Sequence, residues 1–151
     1  MRLIKPNFEI IKQGSDIDSI YKHIELCGRT CYRSQDRITE TSAKKFVDGL
    51  MKSGHFSVLE HGTVYLKVPN GRMYRDGAFR NFNEVFTDNL YYRMCSNDGT
   101  IYITTNYRYI IENHLEHWLE YICEPTEYHE KRVTVRFICD IGISREFNRH
   151  N

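Results

Sequence analysis

The sequence predicts an α+β fold, with an antiparallel sheet and flanking helices in a single domain over residues 1–151. Two observations support this class. Segments in which apolar residues alternate with period two, as in strands, are interspersed with segments in which they recur every three or four residues, as in helices. A chain of 151 residues is also long enough to bury a core without disulfide bonds.

The first third of the chain predicts one strand and two helices. RLIKPNFEII indicates an opening strand, which Pro6 places at a sheet edge. Residues 14–33 have helical spacing after an N-cap at Ser15 or Asp16, and their apolar stripe is Ile17, Ile20, Ile24 and Cys27 or Cys31.

The second helix is predicted over residues 39–54. Thr39 or Thr41 can cap its start, and Gly54 stands where a helix-ending glycine belongs. Its apolar stripe consists of Ala43, Phe46, Val47 and Leu50.

The rest of the chain predicts three more strands and up to three helices. GTVYLKV and TIYITTNY are strands, and one helix is placed at residues 78–94. Residues 106–125 are predicted as one helix that Pro125 ends. KRVTVRFICD is the clearest strand, with Val133, Val135, Phe137 and Cys139 on one face. After a turn at Gly142, a last helix starts at Ser144.

Composition excludes several function classes. A net charge of +1 and the lack of a recognised motif give no reason to expect nucleic-acid binding. No apolar run approaches the roughly 18 residues of a membrane span, and the start of the chain does not resemble a signal peptide. The five cysteines are odd in number and show no C-x-x-C spacing, so we expect reduced thiols and a cytoplasmic protein.

The stretch SGHFSVLEHG places His55, Glu60 and His61 within ten positions, just before a predicted strand. It could be a metal site, an acid/base pair, a set of polar contacts to a cofactor, or simply a capped turn. A zinc site would need two further ligands, and the cysteines are scattered, so we expect no metal. No P-loop or Rossmann fingerprint is present.

The motifs GHFSVLEHGTVYLKV, RVTVRFICDIGISREFNRH and CGRTCYRS together resemble those of the flavin-dependent thymidylate synthases. GHFSVLEHGTVYLKV is similar to the family's His-x-Ser/Thr-x-x-Glu-His signature and the strand that follows it. RVTVRFICDIGISREFNRH resembles the strand and helix that carry the family's Arg-His-Arg motif, and CGRTCYRS resembles its first-helix segment. The order of these motifs makes the resemblance specific. It implies a fold like that of the thymidylate synthase-complementing proteins.

The chain departs from the family pattern in two places. Asn151 follows Arg149 and His150 where a second arginine is expected, and the remainder of the signature is absent. An insertion at about 69–132 separates two strands that are closer in compact members. The domain is therefore expected to be the N-terminal part of such a synthase, truncated after the start of the motif.

The resemblance implies the reductive methylation of dUMP to dTMP. The family uses FAD as cofactor, with methylenetetrahydrofolate and NADPH as co-substrates, and it needs no cysteine nucleophile on the pyrimidine. Its members are homotetramers, so the 11 tyrosines of this chain could partly serve subunit interfaces.

Matching positions imply the site residues. His55, Ser57 and Glu60 would contact FAD, and Cys31 and Ser34, together with Arg29, are weaker flavin candidates.

The C-terminal motif supplies the remaining candidates. Arg149 and His150 would lie against the flavin and act in catalysis, because a cation stabilises the negative charge of a reduced ring. Arg145 and Glu146 would bind the nucleotide, with Arg145 suited to its phosphate. Alternatively, either arginine pairs with Glu146 or faces water, and His61 marks a helix–strand junction.

A second hypothesis is a degenerate, non-catalytic homologue that serves as a flavin-binding, nucleotide-binding or interaction module. Asn151, the early stop and the insertion favour it. On either hypothesis, the 151-residue chain alone should be inactive, with tritium release from labelled dUMP at background. A yellow, FAD-bound protein would favour the synthase.

Overall fold

The computed structural model describes residues 5–69 and 91–147 and divides the chain into two compact units. The central unit runs from Gln13 to Lys131, and the terminal unit joins the chain up to Lys12 with the chain from Arg132 onward. Both contain antiparallel strands and helices, which confirms the predicted α+β class. The single-domain organisation stays a prediction.

In chain order, the described helices and strands are β1 (Asn7–Ile11), α1 (Ile17–Cys31), α2 (Ser42–Ser53), β2 (Thr63–Pro69), β3 (Arg93–Asn97), β4 (Thr100–Asn106), α3 (Tyr107–Glu112), β5 (Thr134–Ile138) and α4 (Ile141–Phe147). Three short 3-10 helices lie between them, at Gln35–Arg37, Phe56–His61 and Glu116–Tyr121. Within the described ranges, no helix is long and apolar enough to cross a membrane.

The terminal unit is a two-stranded antiparallel ribbon followed by α4. β1 begins directly after Pro6 and lies at a sheet edge, as predicted, because its sheet has two strands; Phe8 lies opposite Phe137 of β5. α4 begins at Ile141, three residues earlier than predicted, because the Asp140 carboxylate accepts hydrogen bonds from the backbone N–H groups of Gly142 and Ile143.

The sheet of the central unit has the strand order β2-β4-β3, with all pairs antiparallel. β4 is the middle strand, and Ile103 at its centre is fully buried. Val64, Leu66 and Val68 of β2 are also buried, which places this side of the strand in the core. The stretch predicted as an insertion therefore supplies the central strand of this sheet and much of its core.

Helices α1 and α2 form as predicted and pack against that core. The Asp16 carboxylate caps α1 by accepting a hydrogen bond from the Ser19 backbone N–H at 2.9 Å. Ile20 and Ile24 are fully buried. Gly54 ends α2 in the left-handed conformation, with φ 73°, which glycine adopts without strain.

Two helix predictions are wrong in this unit. Residues 106–125 do not form one helix, since His114 between α3 and the next 3-10 helix has φ 55° and interrupts the α-helical path. The helix over 78–94 lies mostly outside the described residues, but its end is wrong because Arg93 and Met94 belong to β3. There, pairing with β4 prevails over the local helical spacing.

Candidate functional site

The motif segment, His55–His61, connects α2 to β2. It consists of His55 and the 3-10 helix Phe56–His61. The His55 backbone N–H donates to the Leu50 carbonyl at 3.0 Å, which turns the chain out of α2. Leu59 is fully buried, whereas His55, Ser57 and Glu60 are exposed. The segment is thus anchored by its apolar residues and presents its polar ones.

Two glycines allow α1 to lie close to this part of the chain. A Cβ atom on Gly28 would stand 2.9 Å from the Val58 side chain, and one on Gly62 would stand 2.7 Å from the Ile24 side chain. Both distances are shorter than real carbon–carbon contacts allow. The second half of α1 therefore packs directly against the motif segment.

The side chains of His55 and Ser57 make no hydrogen bond with the described part of the protein. His55 occupies the N-cap position of the 3-10 helix without a capping bond from its ring. The turn is thus held by its backbone and by Leu59, and these two polar groups are available to a ligand.

Glu60 forms an ion pair that sequence reasoning missed. Its Oε1 accepts a hydrogen bond from Nη1 of Arg108 at 2.5 Å, and Nε of Arg108 donates to Glu112 at 2.9 Å. The hydrogen bond to Glu112 raises the pKa of the Arg108 guanidinium most, and the hydrogen bond to Glu60 raises it further. Arg108 therefore stays cationic. Oε2 of Glu60 has no hydrogen-bond partner among the described residues.

The β2–β4 register explains why Glu60 and Arg108 meet. Thr63 at the start of β2 lies opposite Asn106 at the end of β4, and the Tyr107 N–H donates to the Gly62 carbonyl at 2.7 Å. Residues just before β2 therefore lie beside residues just after β4. The partners are 48 positions apart, and no local pattern could have revealed this contact.

The weaker flavin candidates lie at the end of α1. Cys31 is its exposed last residue, and Ser34, half-buried, donates its backbone N–H to the Arg29 carbonyl at 2.9 Å. Burial, with the neighbouring Cys31, raises the pKa of the Cys27 thiol to about 11. Cys27 is therefore protonated at neutral pH and is a poor nucleophile.

The nucleotide candidates Arg145 and Glu146 are exposed residues of α4 in the terminal unit. The predicted catalytic residues Arg149 and His150 lie outside the described residues, as does Asn151. His55, Ser57 and Glu60, by contrast, are exposed residues of one segment, the motif segment. His61 ends the 3-10 helix at the junction with β2, as the alternative interpretation expected.

Residues 17–72 match the model of a known family, the thymidylate synthase complementing protein. The predicted family is confirmed over this segment. The thymidylate synthase complementing protein match runs from the start of α1 through β2 and includes the whole motif segment. It supports a thymidylate synthase-type function in the broad sense. Neither a curated protein nor a solved structure matches the chain.

Proposed function

We propose that the chain carries the flavin site of a flavin-dependent thymidylate synthase. The reaction would convert dUMP to dTMP, with methylenetetrahydrofolate as carbon donor, NADPH as reductant and FAD as cofactor. One observation carries the proposal: the family match includes a segment whose apolar residue Leu59 is buried while His55 and Ser57 are exposed and unpaired among the described residues. These side chains leave donors and acceptors at the surface that a ligand can use.

The residues of the motif segment fit a flavin. The His55 imidazole can donate or accept a hydrogen bond near neutral pH, and the Ser57 hydroxyl can do both at once. Arg108 holds one carboxylate oxygen of Glu60 and leaves the other free to accept a hydrogen bond. When bound, FAD supplies the redox chemistry, and the protein supplies placement and polarity.

The remaining assignments belong to the same proposal. Arg149 and His150 would contact the flavin, Arg145 the phosphate of dUMP, and Glu146 its sugar or base. Cys31 and Ser34 would be secondary flavin contacts. The protonated thiol of Cys27 agrees with a reaction that uses no cysteine nucleophile. A homotetramer in the cytoplasm is part of this proposal.

Titration with FAD, followed by quenching of flavin fluorescence, tests the flavin site. We expect saturable binding that His55→Ala and Ser57→Ala each weaken about three- to tenfold, the effect of one hydrogen bond. Lys52→Ala is the matched control, since it truncates an exposed side chain just before the motif segment. Equal affinities for all four proteins would contradict the assignment.

Tritium release from dUMP labelled at C5 tests the reaction itself. With FAD, NADPH and methylenetetrahydrofolate present, we expect the 151-residue chain alone to stay at background. Flavin binding without release would still support the synthase site. A protein that does not bind FAD would contradict the flavin assignment, and real turnover would overturn the expectation of inactivity.

A further inference from the structure

A groove of ≈ 600 Å³ lies between α1 and α2. We call it the basic groove. It is formed by Arg29 near the end of α1, by Thr39 and Thr41 just before α2, and by α2 itself as far as Leu50, with the ring of Phe46 as an apolar wall. Its polar lining consists of two cationic and three hydroxyl side chains: Arg29, Lys45, Thr39, Thr41 and Ser42.

Arg29 is held in place before any ligand arrives. Its Nε donates to Oε1 of Glu25 at 2.6 Å, and Glu25 is only 1 % exposed. Oε2 of the same carboxylate accepts from the Ser42 hydroxyl at 2.8 Å, and the guanidinium lies 4.9 Å from the centre of the Phe46 ring. These contacts use Nε and one face of the guanidinium, so both Nη groups are without a hydrogen-bond partner among the described residues.

Lys45 and Thr41 are also unengaged within the described ranges. Lys45 is exposed and forms no ion pair there, in contrast to its neighbour Lys44, whose Nζ lies 2.8 Å from Asp48. Thr41 occupies the N-cap position of α2, yet its hydroxyl makes no capping bond. Among the described residues that line the groove, none carries a carboxylate.

We propose that the basic groove binds a phosphate group. The two Nη groups of Arg29 form the fork that matches two phosphate oxygens, and Lys45 and the Thr41 hydroxyl supply donors from α2. Glu25 offsets the charge of Arg29, so Lys45 sets the net positive charge of the groove. None of these side chains belongs to the motif segment, but Arg29 is also a weaker flavin candidate, so at this residue the inference rests on the proposed function.

The probe is inorganic phosphate, titrated into the whole chain and followed by ¹H–¹⁵N NMR, including the Nε–H of Arg29. We expect saturable shifts around the groove. Lys45→Gln should weaken binding about fivefold, because it removes the charge that Glu25 does not offset. Lys44→Gln removes the same charge one residue away, outside the groove, and should change the affinity less than about twofold.

A second variant, Arg29→Lys, can keep an ion pair with Glu25 but loses the fork, and should weaken binding about tenfold. If this variant does not fold, the comparison of Lys44→Gln with Lys45→Gln still tests the proposal. Equal effects of Lys44→Gln and Lys45→Gln, no saturation, or acetate binding as tightly as phosphate would overturn the proposal. If AMP binds with the same affinity as phosphate, the groove recognises the phosphate group alone. If AMP binds more tightly, the groove also contacts the rest of a nucleotide. The FAD titration of the His55 and Ser57 variants tests the motif segment separately, because neither residue lines the groove.

Discussion

The two units use similar strand sequences with opposite results. In the central unit, alternating apolar residues of β2 are buried, with Val64 and Val68 at 0 % exposure. In the terminal unit, β1 and β5 pair in register, but Phe8 is 63 % and Phe137 51 % exposed. An alternating pattern predicts a strand in both cases. Whether the apolar side is buried depends on what packs against it, and the pattern does not contain that information.

The ion pairs show the same contrast, and breaking them gives the largest expected difference. Arg29→Met would leave the buried carboxylate of Glu25 without its cation, which costs about 3–5 kcal/mol of unfolding free energy. Arg136→Met removes the exposed pair with Glu9, which is worth about 1 kcal/mol or less. Urea denaturation measures both variants. Similar losses would show that the two environments do not differ as described.

Truncation of one apolar side chain in each unit is the next test. Ile103→Ala removes a fully buried side chain from the middle strand of the central sheet and should destabilise the protein by about 2–5 kcal/mol. Phe137→Ala removes a half-exposed ring, and its effect should be below about 1 kcal/mol. Thermal unfolding of the two variants distinguishes these values. A large loss for Phe137→Ala would mean that the ring is covered in solution.

Substitution of two glycines tests how closely α1 packs on the chain between the motif segment and β2. Gly62→Ala puts a Cβ 2.7 Å from the side chain of the fully buried Ile24, and overpacking of this kind costs about 1–3 kcal/mol. Gly49→Ala is the control, because its Cβ meets nothing within 4 Å and lies inside α2. This variant should gain up to about 1 kcal/mol from helix propensity. Equal shifts in the denaturation midpoint would contradict the close approach.

The smallest expected effect is a dependence of stability on pH that arises at His129. Its Nδ1 accepts from the Thr126 backbone N–H and its Nε2 donates to the Leu66 carbonyl, both at 3.0 Å. The ring is therefore neutral, and burial lowers its pKa in the folded state. The contribution of His129 to the free energy of unfolding is fully present above its unfolded-state pKa of about 6.5. It is lost as the pH falls from there towards the lowered pKa of the folded state.

Substitution of His129 isolates this contribution. His129→Gln cannot titrate, so its stability should fall less than that of the wild type between about pH 7.5 and pH 5. Part of the dependence should remain, because burial also lowers the pKa of His23. Denaturation curves at several pH values provide the comparison. Parallel pH profiles for the two proteins would assign the effect to other groups.

Local patterns were enough for much of the fold. Helices α1 and α2 follow from their apolar stripes, from Asp16 at one start and from Gly54 at one end. The predicted helix over 106–125 was wrong because the helical spacing of apolar residues continues across a break in the backbone at His114. Ile110, before the break, and Leu115 and Trp118, after it, are all buried. Periodicity reports which residues face the core and cannot by itself show that the backbone is continuous.

The candidate site was predictable only where it is local. His55, Ser57 and Glu60 lie within six positions and were proposed from the sequence motif. Arg108 could not be found, because its contact with Glu60 arises from the register of β2 with β4. Arg29 resembled a weak flavin candidate, and only the packing of α1 on α2 places it in the basic groove.

One measurement tests the central claim most directly: ¹H–¹⁵N NMR of the whole chain during titration with FAD. The flavin assignment predicts saturable shifts of the His55 and Ser57 backbone signals and of the Arg108 Nε–H signal, since Arg108 holds Glu60. Shifts that spare the motif segment, or no shifts at all at saturating FAD, would contradict the proposal that this segment holds the flavin.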